Sequence, residues 1–186
     1  MLENIVAHSI QVCRVGECLV DHIKLQGSVP NGKLVQAAAL LHDITKTRSF
    51  ETEENHALTG GQVLADFGYA QVGDLVRQHV RLDNYSERQN LSEAVIVNYA
   101  DKRVLHDRIV SLDDRMRYIQ ERYGTQPGHK RRIQLLWEKT AALEKHIFKY
   151  LPFSPDDLIN YLTPMDLSGE ISNYRKACSQ LASGSG

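Results

Sequence analysis

The sequence predicts an all-α fold. Apolar residues return at three- and four-residue spacing in segment after segment, and residues that start or stop helices fall between those segments. No stretch alternates apolar with polar residues for long enough to make a convincing strand. A first helix is expected from about Glu3 to Gln26, with Ile5, Val12, Val15 and Leu19 on its stripe and His8 in phase with them. Gly27 to Gly32 form a turn cluster around Pro30. A second helix carries Leu34, Val35, Ala38 and Leu41 into the stretch Leu40-Leu41-His42-Asp43-Ile44-Thr45-Lys46.

Residues Thr47 to Glu54 are polar and read as a loop. A third helix begins near Asn55, with His56, Gly60, Val63 and Phe67 along one face and Gly68 as its stop. Gly60-Gly61 would weaken an isolated helix by roughly 1 kcal/mol per glycine relative to alanine, so close backbone packing is expected there. The fourth helix, about Ala70 to Leu82, aligns Val72, Leu75, Val76 and His79, and a polar loop, Asp83 to Asn90, follows.

Ser92 is the expected N-cap of a fifth helix, with Leu91 and Ile96 as a hydrophobic staple. Its apolar side carries Ala94, Val97, Asp101, Val104 and Leu105. Ser111 caps a sixth helix that has Asp113 and Asp114 in its first turn and Gly124 past its end. A long seventh helix, Lys130 to Tyr150, repeats Ile133, Leu136, Trp137, Thr140, Leu143 and Ile147. Ser154-Pro155-Asp156-Asp157 opens a short helix, and a weaker amphipathic piece spans Ile171 to Leu181.

A chain of 186 residues suffices for one domain with a sizeable core. Its apolar share of 42% and charged share of 24% are ordinary for a soluble globular protein. A formal charge of −1 gives no global pull toward nucleic acid or acidic membranes, so neither is an expected partner. Cys13, Cys18 and Cys178 match no zinc spacing, and their sparse, odd number suggests a reducing compartment. With no signal peptide and no membrane-spanning stretch, the expectation is a cytoplasmic protein of open oligomeric state. The closing Gly184-Ser185-Gly186 is set aside as a tail.

The ionisable residues are the informative ones. His8, His42, His56, His79 and Asp101 each fall on the apolar face of a different expected helix. A lone histidine there is ordinarily a satisfied core residue. A carboxylate on such a face is costly unless paired or bound to a cation, and five cases on five successive helices suggest one shared cation. Imidazole with carboxylate suits Fe, Mn, Co, Ni or Zn, and the lack of thiolates argues against a structural zinc site. Lys46, three residues after Asp43, can line the same opening and meet an anionic substrate. The alternative for Lys46 is a simple salt bridge with Asp43. The other histidines behave differently. His106 reads as solvated, His129 as part of a charged helix start, and His146 as the edge of a stripe. His22 reads as structural, because it lies about 21 Å along the helix from His8.

In this order, His8, His42-Asp43, His56, His79, Asp101, the set resembles the HD-domain superfamily of metal-dependent phosphohydrolases over residues 1–125. His56-Ala57-Leu58-Thr59-Gly60 and Tyr99-Ala100-Asp101-Lys102 resemble the family's later segments, and Asp107 to Leu112 is similar to small HDIG-type members. The resemblance implies an HD-domain helical bundle over 1–125; beyond it, residues 126–183 are expected as a C-terminal helical extension packed on the same domain. It implies that His8, His42, Asp43 and Asp101 hold one divalent transition metal, Fe, Mn, Co or Ni rather than Zn or Mg. His56 and His79 would hold a second, with Asp43 bridging, and Lys46 would contact substrate phosphate.

Thr45 stands where the HDIG motif usually has Gly or Ala. No Thr-x-Gly or Gly-Tyr-Pro follows His79, which sets the chain apart from the diadenosine tetraphosphate and cyclic-di-GMP branches. The implied activity is hydrolysis of a phosphate ester or anhydride by metal-activated water, with Asp43 and Lys46 as catalytic residues and a nucleotide or related small phosphate compound as substrate. Arg48, Arg77 and Arg81, and also Arg103, can add bidentate phosphate contacts, or can be ordinary solvated arginines. The competing readings are a nucleotide-sensing module without turnover and a helical scaffold with a structural metal.

Overall fold

The computed structural model describes residues 1–24, 29–86 and 90–183. Within them the elements run α1 (Glu3–His22), α2 (Gly32–Leu41), α3 (Lys46–Thr52), α4 (His56–Asp66), α5 (Ala70–Arg77) and α6 (Glu93–Lys102). The chain continues through β1 (Val104–Leu105), β2 (Arg108–Ile109), α7 (Leu112–Tyr123) and α8 (Pro127–Phe148), a 3-10 segment (Pro155–Tyr161) and α9 (Leu167–Ser183). The fold is all-α. None of the described helices is long and apolar enough to cross a membrane.

The centre of the bundle is α6. Every residue from Ala94 to Lys102 is buried, so this helix is enclosed all round instead of showing one apolar stripe. α1 and α2 pack together and both touch α6, and α8 touches α6 as well. Val12, Val15, Leu19, Val35, Ala38, Val76, Ile96, Val97, Leu143 and Ile147 share one hydrophobic core. The α6–α8 contact is also polar: Tyr99 Oη donates to Glu144 Oε2 and accepts from Arg103 at 2.7 Å.

Side-chain caps set the entry points. Asn31 Oδ1 accepts from the amides of Lys33 and Leu34 at α2, and Asn55 Oδ1 does the same for Ala57 and Leu58 at α4. Ser92 and Ser111 cap α6 and α7 as their positions predict. The expected glycine packing is present. A Cβ on Gly61 would lie 2.7 Å from the carbonyl oxygen of Gly73, so α4 and α5 meet backbone to backbone. Gly68 turns the chain between them at φ 87°.

Several boundaries differ from the sequence expectations. α1 ends at His22; the expected end at Gln26 and part of the turn cluster, Gly27 and Ser28, lie outside the described residues, as do 87–89 of the expected Asp83–Asn90 loop. The expected loop Thr47–Glu54 is largely helix, α3, which buries no residue and closes on Glu53 at φ 57°. With no apolar stripe to show, it carries no periodic signal. The helix expected to reach Leu82 stops at Arg77. Val104 and Leu105 leave the fifth helix for an antiparallel hairpin, pairing with Ile109 and Arg108 around a turn in which His106 has φ 57°. Two-residue strands are too short to show alternation.

Candidate metal centre

Six side chains from five places in the chain converge against α6. His8 comes from the middle of α1, and His42 and Asp43 from the turn that ends α2. His56 opens α4, His79 follows the end of α5, and Asp101 lies in the last turn of α6. Thr45 ties two of these places together. Its Oγ1 donates to the carbonyl of His56 at 2.8 Å, so the residue that departs from the usual motif braces the HD turn against α4.

Three imidazoles are oriented in the same way. Nδ1 of His8 donates to the carbonyl of His106 (2.9 Å), Nδ1 of His42 to Ala39 (2.8 Å), and Nδ1 of His79 to Val76 (2.7 Å). A carbonyl only accepts, so each Nδ1 carries the proton and each Nε2 faces inward. His8 Nε2 lies 3.1 Å from Asp101 Oδ1, and His42 Nε2 lies 3.8 Å from that oxygen and 3.4 Å from Asp43 Oδ2. On the other side of Asp43, Oδ1 is 3.2 Å from His56 Nε2 and 3.6 Å from His79 Nε2. Ligand atoms of His8, His42 and Asp43 lie within 4.8 Å of one another, and so do those of Asp43, His56 and His79. Asp43 belongs to both groups.

The electrostatics follow from burial and crowding. Burial opposes ionisation of Asp43, but His42, His56 and Lys46 outweigh it and hold the carboxyl well below the usual range. Burial likewise opposes the charge on Asp101, and Lys102, His8 and His42 overcome it. His42 is held up by Asp43, Asp101 and the Ala39 carbonyl against its own burial. Burial, with His42 alongside, pushes His79 down to about 3, so its inward nitrogen bears a lone pair at neutral pH. His79 Nε2 and Asp43 Oδ1, 3.6 Å apart, are therefore two acceptors that face each other. His42 Nε2 and Asp43 Oδ1 are buried without a hydrogen-bond partner among the described residues, although His56 approaches Asp43 closely. A divalent cation fits this donor set, since it satisfies converging imidazole nitrogens and carboxylate oxygens together. Soft ligands are absent from it: the buried Cys13 and Cys18 are free thiols, pushed up to about 12 and about 11 mainly by burial.

Lys46 Nζ donates to Asp43 Oδ2 at 2.8 Å with a third of its side chain exposed, so it stands at the mouth of the cluster. The arginines are elsewhere. Arg48 pairs with Glu54, and Arg77 with Asp74 and Asp83. Arg81 lines a separate cavity of about 580 Å³ with Tyr85, Asn98, Lys139 and Leu143. Arg103 is buried, bonded to Tyr99 and to the carbonyls of Val110 and Pro155, and holds the fold together instead of meeting solvent. None of these four has a polar contact with the six clustered residues.

Of the remaining histidines, His106 is exposed, with its carbonyl turned to His8. His22 packs on Phe153 and Tyr161. His146 is fully buried against Tyr85 instead of lying at the edge of a stripe. Lys102 escapes the sequence reading. It looks like a solvated charge at a helix end, yet its Nζ is buried, 2.8 Å from Asp101 Oδ2 and 2.9 Å from the carbonyl of His79. Its place beside an apolar-face carboxylate was the available signal.

Comparison with known proteins matches the profile of the HD domain to residues 5–104, a span that contains all six clustered residues. Curated relatives include ribonuclease Y of Fusobacterium nucleatum, 31% identical over 53% of this chain and 18% of the relative. Ribonuclease Y of Petrotoga mobilis is 28% identical over 70% of this chain and 27% of its own length. An uncharacterized protein of Methanocaldococcus jannaschii is 25% identical over 77% of this chain and 91% of its own length. The chain thus spans only about a fifth to a quarter of the ribonuclease Y relatives, and no solved structure gives a significant match. On its profile match and its ordered histidines and aspartates, this chain belongs to the HD-domain family, whose members bind divalent metals and include metal-dependent phosphohydrolases.

Proposed function

We propose that this chain hydrolyses a phosphate ester or anhydride of a nucleotide or related small molecule at a metal centre built from His8, His42, Asp43, Asp101, His56 and His79. One observation carries this reading. Three imidazoles are locked by backbone carbonyls so that their Nε2 atoms point at two buried carboxylates. His8, His42, Asp43 and Asp101 would hold a first divalent transition metal, and Asp43, His56 and His79 a second. Imidazole and carboxylate donors without thiolate favour Fe, Mn, Co or Ni. When bound, such a metal supplies Lewis acidity and a water whose pKa falls toward about 7.

The chain's own residues do the rest. Asp43 presents one oxygen to each half of the centre, with its charge held on by His42 and Lys46. Among the described residues, Lys46 is the one cation paired to the cluster with substantial exposure, and it can turn from Asp43 to a substrate phosphate. His42 and His79 are closed off from solvent and exclude bulk water from the inner face. Residues 126–183 serve as an extension packed on the same domain, with α8 supplying Leu143 and Ile147 to the core.

RNA is a second candidate substrate, because several relatives are named ribonuclease Y. The near-neutral charge, and the engagement of Arg48 and Arg77 by carboxylates, favour the small substrate. The test is metal analysis of the purified protein, then hydrolysis of an aryl phosphate, nucleotides, dinucleoside polyphosphates, cyclic nucleotides and a short RNA with Mn, Fe, Co, Ni or Mg. About one to two transition metals per chain and turnover of a small phosphate compound are expected. Preferential RNA cleavage favours the second reading, metal without turnover favours a sensor, and absence of metal uptake overturns the centre.

A further inference from the structure

The two halves of the cluster are joined by a group that belongs to neither. Lys102 lies in the last turn of the enclosed helix α6 and is buried. An ammonium in that position is costly unless its donors are met. One N–H reaches Asp101 Oδ2 at 2.8 Å and another reaches the carbonyl oxygen of His79 at 2.9 Å. Asp101 is a residue of the half that contains His8 and His42, whereas His79 belongs to the half that contains His56.

We propose that Lys102 is a positioning residue that holds Asp101 to single-oxygen coordination and couples the two halves of the metal centre. This inference rests on reading the cluster as a metal centre.

Two consequences of the geometry support it. With Oδ2 held by the ammonium, Asp101 shows only Oδ1 to the histidines, 3.1 Å from His8 Nε2 and 3.8 Å from His42 Nε2. The second concerns His79, which lies beyond the end of α5 and lacks a helix to fix its backbone. Asn98, one turn before Lys102, donates from Nδ2 to the carbonyls of Gln78 (3.0 Å) and His79 (2.8 Å). Asn98 and Lys102 thus converge on one carbonyl and pin the His79 segment to the helix that bears Asp101. The contrast with Lys46 is physical. Each lysine meets a clustered carboxylate at 2.8 Å, but Lys46 is a third exposed and free to release, whereas the Lys102 side chain is only 6% exposed and held on two sides.

The experiment uses the full chain, stripped of metal and titrated with Co²⁺. Visible absorption reports coordination, and circular dichroism reports the fold. Wild type is expected to fill two positions, a single filled position overturning the coupling, and Lys102→Met, which keeps length and burial, retains the helical spectrum. In that variant Co²⁺ affinity falls roughly 10–100-fold, as for loss of other outer-shell partners. Its visible spectrum changes because both Asp101 oxygens become available. Lys102→Arg, which keeps the charge, recovers more affinity at the first position than at the second. Asn98→Ala weakens the second position alone, and it decides the coupling if Lys102→Met does not fold. A folded Lys102→Met with wild-type spectrum and affinities overturns the inference while leaving the metal centre standing, as does an Asn98→Ala variant with an unchanged second position. A wild type that takes up no cobalt overturns both.

Discussion

At the scale of single residues, five of the six clustered groups, His8, His42, His56, His79 and Asp101, are legible in sequence because each is in phase with an apolar stripe, where a polar group needs a reason, and Asp43 is legible as the neighbour of His42. Lys102 and Thr45 are not legible in that way. One looks like a solvated helix end and the other like a neutral variation, and only the fold shows what each bonds to. Lys46 gives the most direct test. Lys46→Ala should leave metal content unchanged and lower kcat/KM for a phosphate substrate by roughly 10²-fold, checked by metal analysis beside steady-state kinetics. The histidines give a pH signature in chelator-treated protein. His79 has a lowered folded-state pKa, so unfolding takes up a proton below about pH 6.5 and stability falls as the pH drops toward about 3. His42 has a raised one, so the folded state keeps a proton that the unfolded chain releases above about pH 6.5, and stability falls as the pH rises. The two windows meet, and metal-free stability should peak near pH 6.5, with each histidine contributing at most about 1.4 kcal/mol per pH unit. Urea denaturation on either side of that pH checks it, and a monotonic profile would contradict the assignment.

At the scale of elements, strongly striped helices are recovered from sequence and weakly striped ones are not. α3 buries no residue, so hydrophobic periodicity has nothing to detect. Val104 and Leu105 fit the stripe of the preceding helix by phase, and only the hairpin pairing separates them. The glycine contact between α4 and α5 was foreshadowed by Gly60-Gly61, but its partner, Gly73, was not. α4 carries His56, and His79 follows the end of α5. Gly61→Ala should therefore destabilise the fold by about 1–3 kcal/mol and weaken the second metal position more than the first. Thermal melting and metal titration of the same variant separate the two effects, and equal weakening at both positions would refute the local account.

At the scale of the whole molecule, the cluster gathers residues from position 8 to position 101 of the chain, which only tertiary packing can do. A ligand that binds the folded state alone stabilises it by about 2.7 kcal/mol at a hundredfold excess over its Kd. For a chain of this size that corresponds to a rise in Tm of roughly 5–11 °C. Adding Mn²⁺ or Co²⁺ to chelator-treated protein should produce such a rise and renewed chelation should reverse it; a Tm indifferent to metal would count against the centre.

The carbonyl of His106 that steadies His8 has an evolutionary consequence. The contact is made by backbone, while the His106 ring is exposed beside Tyr118, so the centre depends on the conformation at this position and not on its chemistry. A left-handed φ of 57° is open to glycine and asparagine and strained for β-branched residues. Substitution by Gly or Asn should keep metal binding near wild type, and Val should weaken it, as a metal titration of the three variants would show. Position 106 is thus free to drift among residues that turn the same way, and a histidine there is a poor guide to what the position does.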